Sequence, residues 1–99
     1  MKHGGCVYII TNQYNKVVYT GVTAELRARI WEHKTKFYPK SFTAKYNCNK
    51  IVWFQTFQRI EEAINREKQI KGGSRKAKDA LIQSMNPTWK DLWEDIQDL

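Results

Sequence analysis

The most informative residues of this chain are polar side chains that interrupt the apolar faces of two predicted helices. In the first helix, Leu26 and Ile30 belong to an inner stripe at helical spacing, and the same stripe contains Arg29 and His33. In the second helix, Glu67 falls on an otherwise apolar inner stripe. An ionised carboxylate there is costly unless it is paired or bound to a metal. Because such breaks in pattern occur at functional sites, these polar residues are candidates for chemistry.

Two tyrosines complete the candidate set. Tyr8 and Tyr19 lie in short β-branched and aromatic segments that flank the turn-forming residues 12–15. If those four residues form the loop of a β-hairpin, Tyr8 faces Tyr19 directly and both phenols project to the same side. Two phenols, an arginine, a histidine and a carboxylate are side chains that together can bind a phosphate and a metal ion.

Each of these residues also has a purely structural interpretation. Tyr8 and Tyr19 could be ordinary strand aromatics, and Arg29 could extend past the edge of the core. His33 could bond to backbone at that edge, and Glu67 could form a structural ion pair with Arg29. The convergence of all five on one face of a hairpin and two adjacent helices favours a functional site.

The elements that must position these residues follow the order ββαβααα. Three strands are predicted, at residues 6–11, 17–21 and 51–57. Four helices are also predicted. The first runs from the cap Thr23 to about residue 36, and the second covers 59–71 and ends at Gly72 and Gly73. The third covers 74–85 with the cap Ser74, and the last begins at Thr88. Residues 37–50 are predicted as a loop. The last helix carries one apolar stripe, made of Trp89, Leu92, Trp93 and Ile96.

This order predicts an α/β (α+β) fold in which a three-stranded, largely antiparallel sheet is flanked by helices. The length of 99 residues suits one domain, residues 1–99. No apolar run approaches the roughly 20 residues of a membrane span, and the N-terminus lacks the pattern of a signal peptide. We therefore expect a cytoplasmic protein without membrane contact. A zinc site of His3, Cys6, His33 and Cys48 would lack the short ligand spacing of structural zinc sites.

The charge of the chain is positive and unevenly distributed. The net charge is +7, with +5 over residues 25–50 (seven Lys or Arg against two acids), +5 over 66–78 (six against one) and −3 over 87–99 (one against four). Five aromatic residues lie in the first basic stretch, namely Trp31, Phe37, Tyr38, Phe42 and Tyr46. Such stretches suit nucleic acid as a partner. We expect seven cations to contact phosphates: Lys34, Lys36, Lys40, Lys45, Lys68, Lys71 and Arg75.

Five short motifs resemble those of the GIY-YIG endonuclease superfamily, in particular its small stand-alone bacterial members. They are CVY at 6–8, YTG at 19–21, LxxRIxxH at 26–33, REKQIKG at 66–72 and NPxWxxL at 86–92. The resemblance covers residues 6–92. This chain departs from the pattern at four positions. Cys6 replaces the first Gly of the family, and Thr20 is a small polar change within a strand. Val22 occupies a position where some members have Lys, and Gly73 one where the small members often have Trp.

The resemblance implies an endonuclease that hydrolyses DNA with one Mg²⁺ or Mn²⁺ ion. The relatives include homing endonucleases, some restriction enzymes and the incision domain of an excision-repair subunit, which suggests a role in DNA repair. Glu67 is expected to bind the ion, as a hard oxygen ligand whose site a substrate phosphate completes. Arg29 is expected to bind a phosphate oxygen.

The proton of the attacking water is expected to go to a tyrosine. We favour Tyr8 as this base, with Tyr19 orienting it, and the reverse assignment stays open. His33 is expected to relay the proton or to bond the phosphate, and Asn86 to tie the chain after the third helix to the site. Two rival functions remain: a nucleic-acid-binding module that no longer cuts, and a protein-interaction domain that docks through the acidic C-terminal helix.

Overall fold

The computed structural model describes residues 4–99 and contains a three-stranded antiparallel sheet. Its strands are β1 (Gly5–Thr11), β2 (Val18–Thr23) and β3 (Lys50–Phe57), in the spatial order β2-β1-β3. Every residue of β1 is buried, because this central strand has a neighbour on each side and apolar clusters on both faces. The predicted sheet is confirmed.

Within residues 4–99, four α-helices and one 3-10 helix complete the fold: α1 (Leu26–Thr35), α2 (Phe42–Lys45), α3 (Ile60–Lys71), α4 (Arg75–Met85) and the 3-10 helix Asp95–Asp98. The predicted fold class and element order are confirmed. The short helix α2 interrupts a segment that was predicted as a loop. It forms because the Ser41 hydroxyl caps it, accepting the N–H of Ala44 at 3.2 Å. No helix in this part of the chain is long and apolar enough to cross a membrane.

The start of α1 differs from the prediction that Thr23 caps it. The Thr23 hydroxyl accepts the N–H of Glu25 at 3.0 Å, and Glu25 occupies the cap position without a side-chain hydrogen bond. The helix therefore begins at Leu26, two residues later than a cap at Thr23 would place it.

The sheet separates two apolar clusters. On one face, alternate residues of β1, including Tyr8, pack against Leu26 and Ile30 of α1. On the other face, the intervening residues of β1 pack against Ala63 and Ile70 of α3. We call these the α1 face and the α3 face. The two predicted site helices therefore cover opposite faces of the sheet and are not adjacent on one face.

The hairpin register differs by two residues from the predicted one. Tyr8 lies opposite Gly21, and Tyr19 lies opposite Ile10. The loop is longer than four residues because the Asn12 side chain accepts the N–H groups of residues 16 and 17, at 2.8 and 3.2 Å. A shift of two residues keeps both phenols on the same side, since side chains alternate with a period of two.

The segment after α4 wraps around the β3 edge of the sheet. Trp89 packs on the α3 face, whereas Leu92 packs on the α1 face. Between these contacts the N–H of Leu92 donates to the carbonyl of Ile51 at 2.8 Å, which covers part of an edge strand. The predicted stripe does not form, because Trp89 has a left-handed φ of 55° and the last helix is present only as Asp95–Asp98.

Candidate active site

A hydrogen-bonded chain of buried side chains forms the centre of the candidate site on the α1 face. The Tyr8 hydroxyl lies 2.8 Å from Nε2 of His33, and Nδ1 of His33 lies 3.0 Å from the Thr43 hydroxyl. Tyr8 comes from β1, His33 from α1 and Thr43 from α2. Three elements that are distant in sequence thus meet at one imidazole.

Burial determines the protonation of this chain. Tyr8 is 1% exposed, and burial raises its pKa to about 12 although the nearby Arg29 guanidinium lowers it. Burial, and then the charge of Arg29, lower the pKa of His33 to about 4. At neutral pH the phenol is therefore protonated and the imidazole is neutral. A neutral imidazole has one N–H, so His33 donates to one of its two partners, Tyr8 and Thr43, and accepts from the other.

Gly21 leaves the space that the Tyr8 phenol occupies. A Cβ atom at Gly21 would lie 2.3 Å from the Tyr8 hydroxyl oxygen and 2.4 Å from Cζ, which are impossible contacts. The phenol therefore lies against the bare backbone of β2. The glycine of the YTG motif is needed here for packing, since no glycine in residues 4–99 has a positive φ.

Arg29 lies beside the Tyr8–His33 pair and remains partly exposed. Its Nη1 donates to Oε1 of Glu32 at 2.9 Å, and its guanidinium lies 5.8 Å from the centre of the Tyr38 ring. Burial alone would lower the pKa of Arg29, but the Glu32 hydrogen bond and the Tyr8 phenol raise it. The acid that pairs with Arg29 is thus Glu32 and not Glu67. A guanidinium has five N–H donors, so one such pair leaves donors for a phosphate.

Glu67 approaches the site from the other side of the sheet, because α3 covers the α3 face. Its side chain is 12% exposed, and Oε2 accepts from the Lys71 ammonium at 2.8 Å, which raises the pKa of Lys71. The same ammonium lies 5.5 Å from the centre of the Tyr19 ring. Lys71 therefore links Glu67 to Tyr19 at the β2 edge of the sheet. Although α3 packs on the α3 face, Glu67 thus meets a residue of the α1 face at this edge, through Lys71.

An open groove follows the same edge, and we call it the β2 groove. It is lined by Val18, Tyr19 and Thr20 of β2, Phe42 of α2, Lys71 of α3, and Arg75 and Lys78 of α4. The Tyr19 ring lies 6.1 Å from the His33 ring and 6.2 Å from the Phe42 ring. The groove therefore connects the buried Tyr8–His33 pair with a basic surface.

The seven predicted phosphate-binding cations lie in different environments. Lys34 donates to the Asn49 carbonyl and to the Asp91 carboxylate. Arg75 donates to the carbonyls of residues 15 and 16, at 2.7 and 2.8 Å, and to Asp79. These two cations are already held by acceptors of the protein. The other five are exposed, namely Lys36, Lys40, Lys45, Lys68 and Lys71, and of these Lys71 also pairs with Glu67.

The donor set restricts which metal ion the site could hold. Among residues 4–99, no group of three or more His, Cys, Asp or Glu side chains could hold a metal ion. His3 of the zinc alternative lies outside the described residues. Glu67 alone offers a carboxylate to a hard cation, so an ion there would take its other ligands from water and a substrate phosphate. Such an ion fits the donor chemistry, and it would compete with Lys71 for the carboxylate.

Comparison with known proteins identifies the family. Residues 4–80 match the GIY-YIG catalytic domain. The chain belongs to the GIY-YIG family. It is also 33% identical over 81 residues to a UPF0213 protein of Syntrophus aciditrophicus (strain SB), an alignment that covers 82% of this chain and 91% of that protein. No solved structure matches the chain. The GIY-YIG domain is that of a nuclease family, and such nucleases act on nucleic acids.

The GIY-YIG match contains the strands and helices that carry Tyr8, Tyr19, Arg29, His33 and Glu67. Asn86 lies beyond the match. Its amide donates to the carbonyls of Val52 at 3.2 Å and Lys90 at 2.7 Å, so it joins the C-terminal segment to β3. The site also departs from the family pattern at Thr20, whose buried hydroxyl has no hydrogen-bond partner within the described residues.

Three residues around the GIY-YIG site are not predicted from the sequence: Glu32, Tyr38 and Thr43. The spacing of three residues between Arg29 and Glu32 was the available signal, since such pairs meet on a helix surface. Tyr38 and Thr43 reach the site only through the path of the chain between α1 and β3. No local spacing connects them to Arg29 or His33.

Proposed function

We propose that the chain is an endonuclease that hydrolyses phosphodiester bonds of nucleic acid, with DNA as the expected substrate and one Mg²⁺ or Mn²⁺ ion at Glu67. One observation carries the proposal: Tyr19 lines the basic β2 groove, and its ring contacts both His33 of the Tyr8–His33 pair and Lys71, the ion-pair partner of Glu67. Arg29 interacts with Tyr8 on the α1 face. A cytoplasmic location and a role in DNA repair are expectations that accompany this proposal.

The proposed metal site depends on the Glu67 carboxylate. A bound ion would supply positive charge that polarises the phosphate and stabilises the leaving oxygen. Lys71 would have to release the carboxylate, and its ammonium already lines the β2 groove, where phosphate would lie. Arg29 would bind a non-bridging phosphate oxygen through the donors that Glu32 does not use.

Of the two phenols, Tyr19 is the one that can meet the substrate. Tyr8 is buried, has a pKa of about 12 and is hydrogen-bonded to a neutral His33, so it is not available as a base at neutral pH. Tyr19 lines the β2 groove with the Lys71 ammonium over its ring, and this cation would stabilise a developing phenolate. We therefore assign the proton-accepting role to Tyr19, which is the reverse of the assignment favoured from the sequence.

His33 acts through its neighbours in this proposal. Both of its ring nitrogens already have partners, Tyr8 on one side and Thr43 on the other. Its ring contacts Tyr8 at 5.6 Å and Tyr19 at 6.1 Å between centroids. His33 is therefore a positioning residue that holds the two aromatic rings of the site.

A catalytically silent nucleic-acid-binding module is the second candidate function. The ion pair between Glu67 and Lys71 favours it, because an internal cation already neutralises the carboxylate that a metal would need. The basic groove would serve a binding module equally well, so only the chemistry distinguishes the two candidates.

The test is cleavage of single-stranded, duplex and branched DNA and RNA with Mg²⁺ or Mn²⁺ by wild type, Glu67→Gln and Glu61→Gln. Glu61 is an exposed carboxylate on the same helix and serves as the matched control. We expect Glu67→Gln to lose at least roughly 10²-fold in cleavage rate and to keep its affinity for nucleic acid. Wild-type cleavage by Glu67→Gln would show that the metal site is wrong. Binding without cleavage by the wild type would establish the silent module.

A further inference from the structure

Exposed aromatic side chains are concentrated beside the candidate site. Trp31, Phe37, Tyr38, Phe42 and Tyr46 are each 40–55% exposed. They belong to α1, to α2 and to the residues that follow each of these helices. We call these five residues the aromatic surface. So large a group of exposed rings marks a place where another molecule covers them.

One part of the aromatic surface adjoins the β2 groove. Phe42 lines the groove, and its ring lies 6.2 Å from that of Tyr19 and 4.7 Å from that of Tyr46. On another side of the site, the Tyr38 ring lies 5.8 Å from the Arg29 guanidinium. Exposed rings therefore flank Tyr19 and Arg29, the two residues proposed to meet the scissile phosphate.

Cations are interleaved with these rings. The Lys45 ammonium lies 5.4 Å from the centre of the Tyr46 ring, and Lys36 and Lys40 are exposed in the same segment. Lys71 and Lys78 line the adjoining groove. Aromatic rings with cations between them match a polyanion that carries flat, stackable groups.

We propose that the aromatic surface stacks unpaired nucleobases on either side of the scissile phosphate. The substrate class is then single-stranded nucleic acid, or a junction with unpaired nucleotides. This inference rests on the proposed function, because Tyr19 and Arg29 define where the scissile phosphate lies. Inside a duplex both faces of a base are covered by its neighbours, so only an unpaired base can stack on Phe42 or Tyr38.

Electrostatics alone predicts the opposite preference. Duplex DNA has a higher charge density than a single strand and releases more counterions for each neutralised phosphate. A surface that binds only through Lys and Arg should therefore bind duplex at least as tightly as a single strand. Tighter binding of the single strand is consequently a measure of stacking and not of charge.

The experiment compares the affinities of single strands and duplexes of one sequence, about 12 nucleotides long, as DNA and as RNA and without divalent metal. The variants are Phe42→Leu and Tyr38→Leu. The control is Tyr14→Leu, because Tyr14 is 72% exposed in the β1–β2 loop and lies outside the aromatic surface. A 2-aminopurine base in the strand reports stacking through the quenching of its fluorescence.

We expect wild type to bind the single strand at least about 10-fold more tightly than the duplex and to quench the 2-aminopurine. Phe42→Leu should lower single-strand affinity by roughly 5- to 100-fold, leave duplex affinity unchanged and reduce the quenching. Tyr14→Leu should change neither affinity. If Phe42→Leu does not fold, Tyr38→Leu provides the same test, with a smaller effect because Tyr38 contacts Arg29 but does not line the β2 groove.

The proposal would be overturned if wild type bound single strand and duplex with equal affinity. It would also be overturned if Phe42→Leu and Tyr14→Leu lost equal single-strand affinity, and in either case a protein partner would be the remaining occupant of the aromatic surface. Cleavage with Mg²⁺ or Mn²⁺, measured in parallel, separates this outcome from failure of the proposed function. Equal cleavage of both substrates by wild type and Phe42→Leu would keep the nuclease and reject stacking. Single-strand preference with quenching but without cleavage would keep stacking and reject the nuclease.

Discussion

Tyr8 and His33 show how burial sets the chemistry of individual residues in this protein. The charge of Arg29 lowers the pKa of Tyr8, as the sequence suggests it should, but burial outweighs it and the pKa rises to about 12. The same burial keeps His33 neutral. The pair is therefore a hydrogen-bonding unit in which the phenol stays protonated at neutral pH, and for this reason we propose the more exposed Tyr19 as the proton acceptor.

The neutral His33 should make the fold sensitive to acid. Burial, together with Arg29, lowers its pKa from 6.5 to about 4, so the unfolded chain takes up a proton on this group at a higher pH than the folded chain. The contribution of His33 to stability is full above about pH 6.5, is lost as the pH falls towards 4, and changes no further below that. The loss should be about 3 kcal/mol, measured by urea unfolding across this pH window.

The substitution His33→Gln separates the effect of His33 titration on stability from that of the carboxylates, which also titrate in acid. In His33→Gln the amide oxygen can still accept from Tyr8, but the group does not titrate. The difference between the wild-type and His33→Gln stability curves should therefore contain the His33 component alone. Parallel curves, or an NMR titration of the His33 imidazole with a midpoint near 6.5, would contradict the assignment.

At the scale of elements, the register of β1 and β2 decides which residue faces Tyr8. The side chain of Asn12 lengthens the loop, and this places Gly21 rather than Tyr19 opposite Tyr8. The active-site phenol then lies against a strand position that has no side chain. A hairpin with a four-residue loop would have placed the two tyrosines against each other.

We expect Gly21→Ala to destabilise the protein by about 1–3 kcal/mol, because the added methyl group would overlap the Tyr8 hydroxyl and ring. The control is Gly72→Ala. Gly72 has a φ of −73°, and its nearest atom to an added Cβ is the Lys68 carbonyl oxygen at 3.4 Å. This control should be neutral or stabilising by up to about 1 kcal/mol. Urea unfolding measures both, and a neutral Gly21→Ala would show that Tyr8 does not occupy this space.

For the molecule as a whole, the charges are divided between two regions. The cations around the β2 groove and the aromatic surface belong to the two basic stretches, whereas the acidic residues 87–99 wrap around β3 at the opposite edge of the sheet. We therefore expect nucleic acid to bind on the β2 side. Because protein acceptors engage Lys34 and Arg75, we expect the exposed lysines to contact the phosphates.

Affinity for single-stranded nucleic acid should accordingly fall as salt is added. Lys40→Gln and Lys45→Gln should each reduce the slope of log affinity against log salt by about 0.7, since each removes one phosphate contact. Lys90→Gln is the control, because Lys90 lies in the acidic C-terminal segment and its ammonium is 3.7 Å from Asp95. The slope is measured from binding isotherms at several salt concentrations. An unchanged slope in all three variants would place the phosphates elsewhere.

The sequence by itself determined the three strands and the longer helices α1, α3 and α4, and it selected the polar residues of the candidate site. Strand and helix bounds follow from periodicity, from turn formers and from caps such as Ser74, all of which act over a few residues. Arg29, His33 and Glu67 could be selected because each breaks a local apolar pattern. The family could be inferred from five short motifs, and the match over residues 4–80 confirms it.

The tertiary structure alone decided how these residues meet. Local patterns place Arg29 and Glu67 on inner stripes but do not show that α1 and α3 cover opposite faces of the sheet. Because the helices lie on opposite faces, Glu67 pairs with Lys71 and Arg29 pairs with Glu32. The hydrogen bond from His33 to Thr43 spans ten residues and requires the turn of the chain into α2. Burial depends on neighbours from the whole chain, so the raised pKa of Tyr8, on which our proposal of Tyr19 as proton acceptor rests, could not be read from sequence spacing.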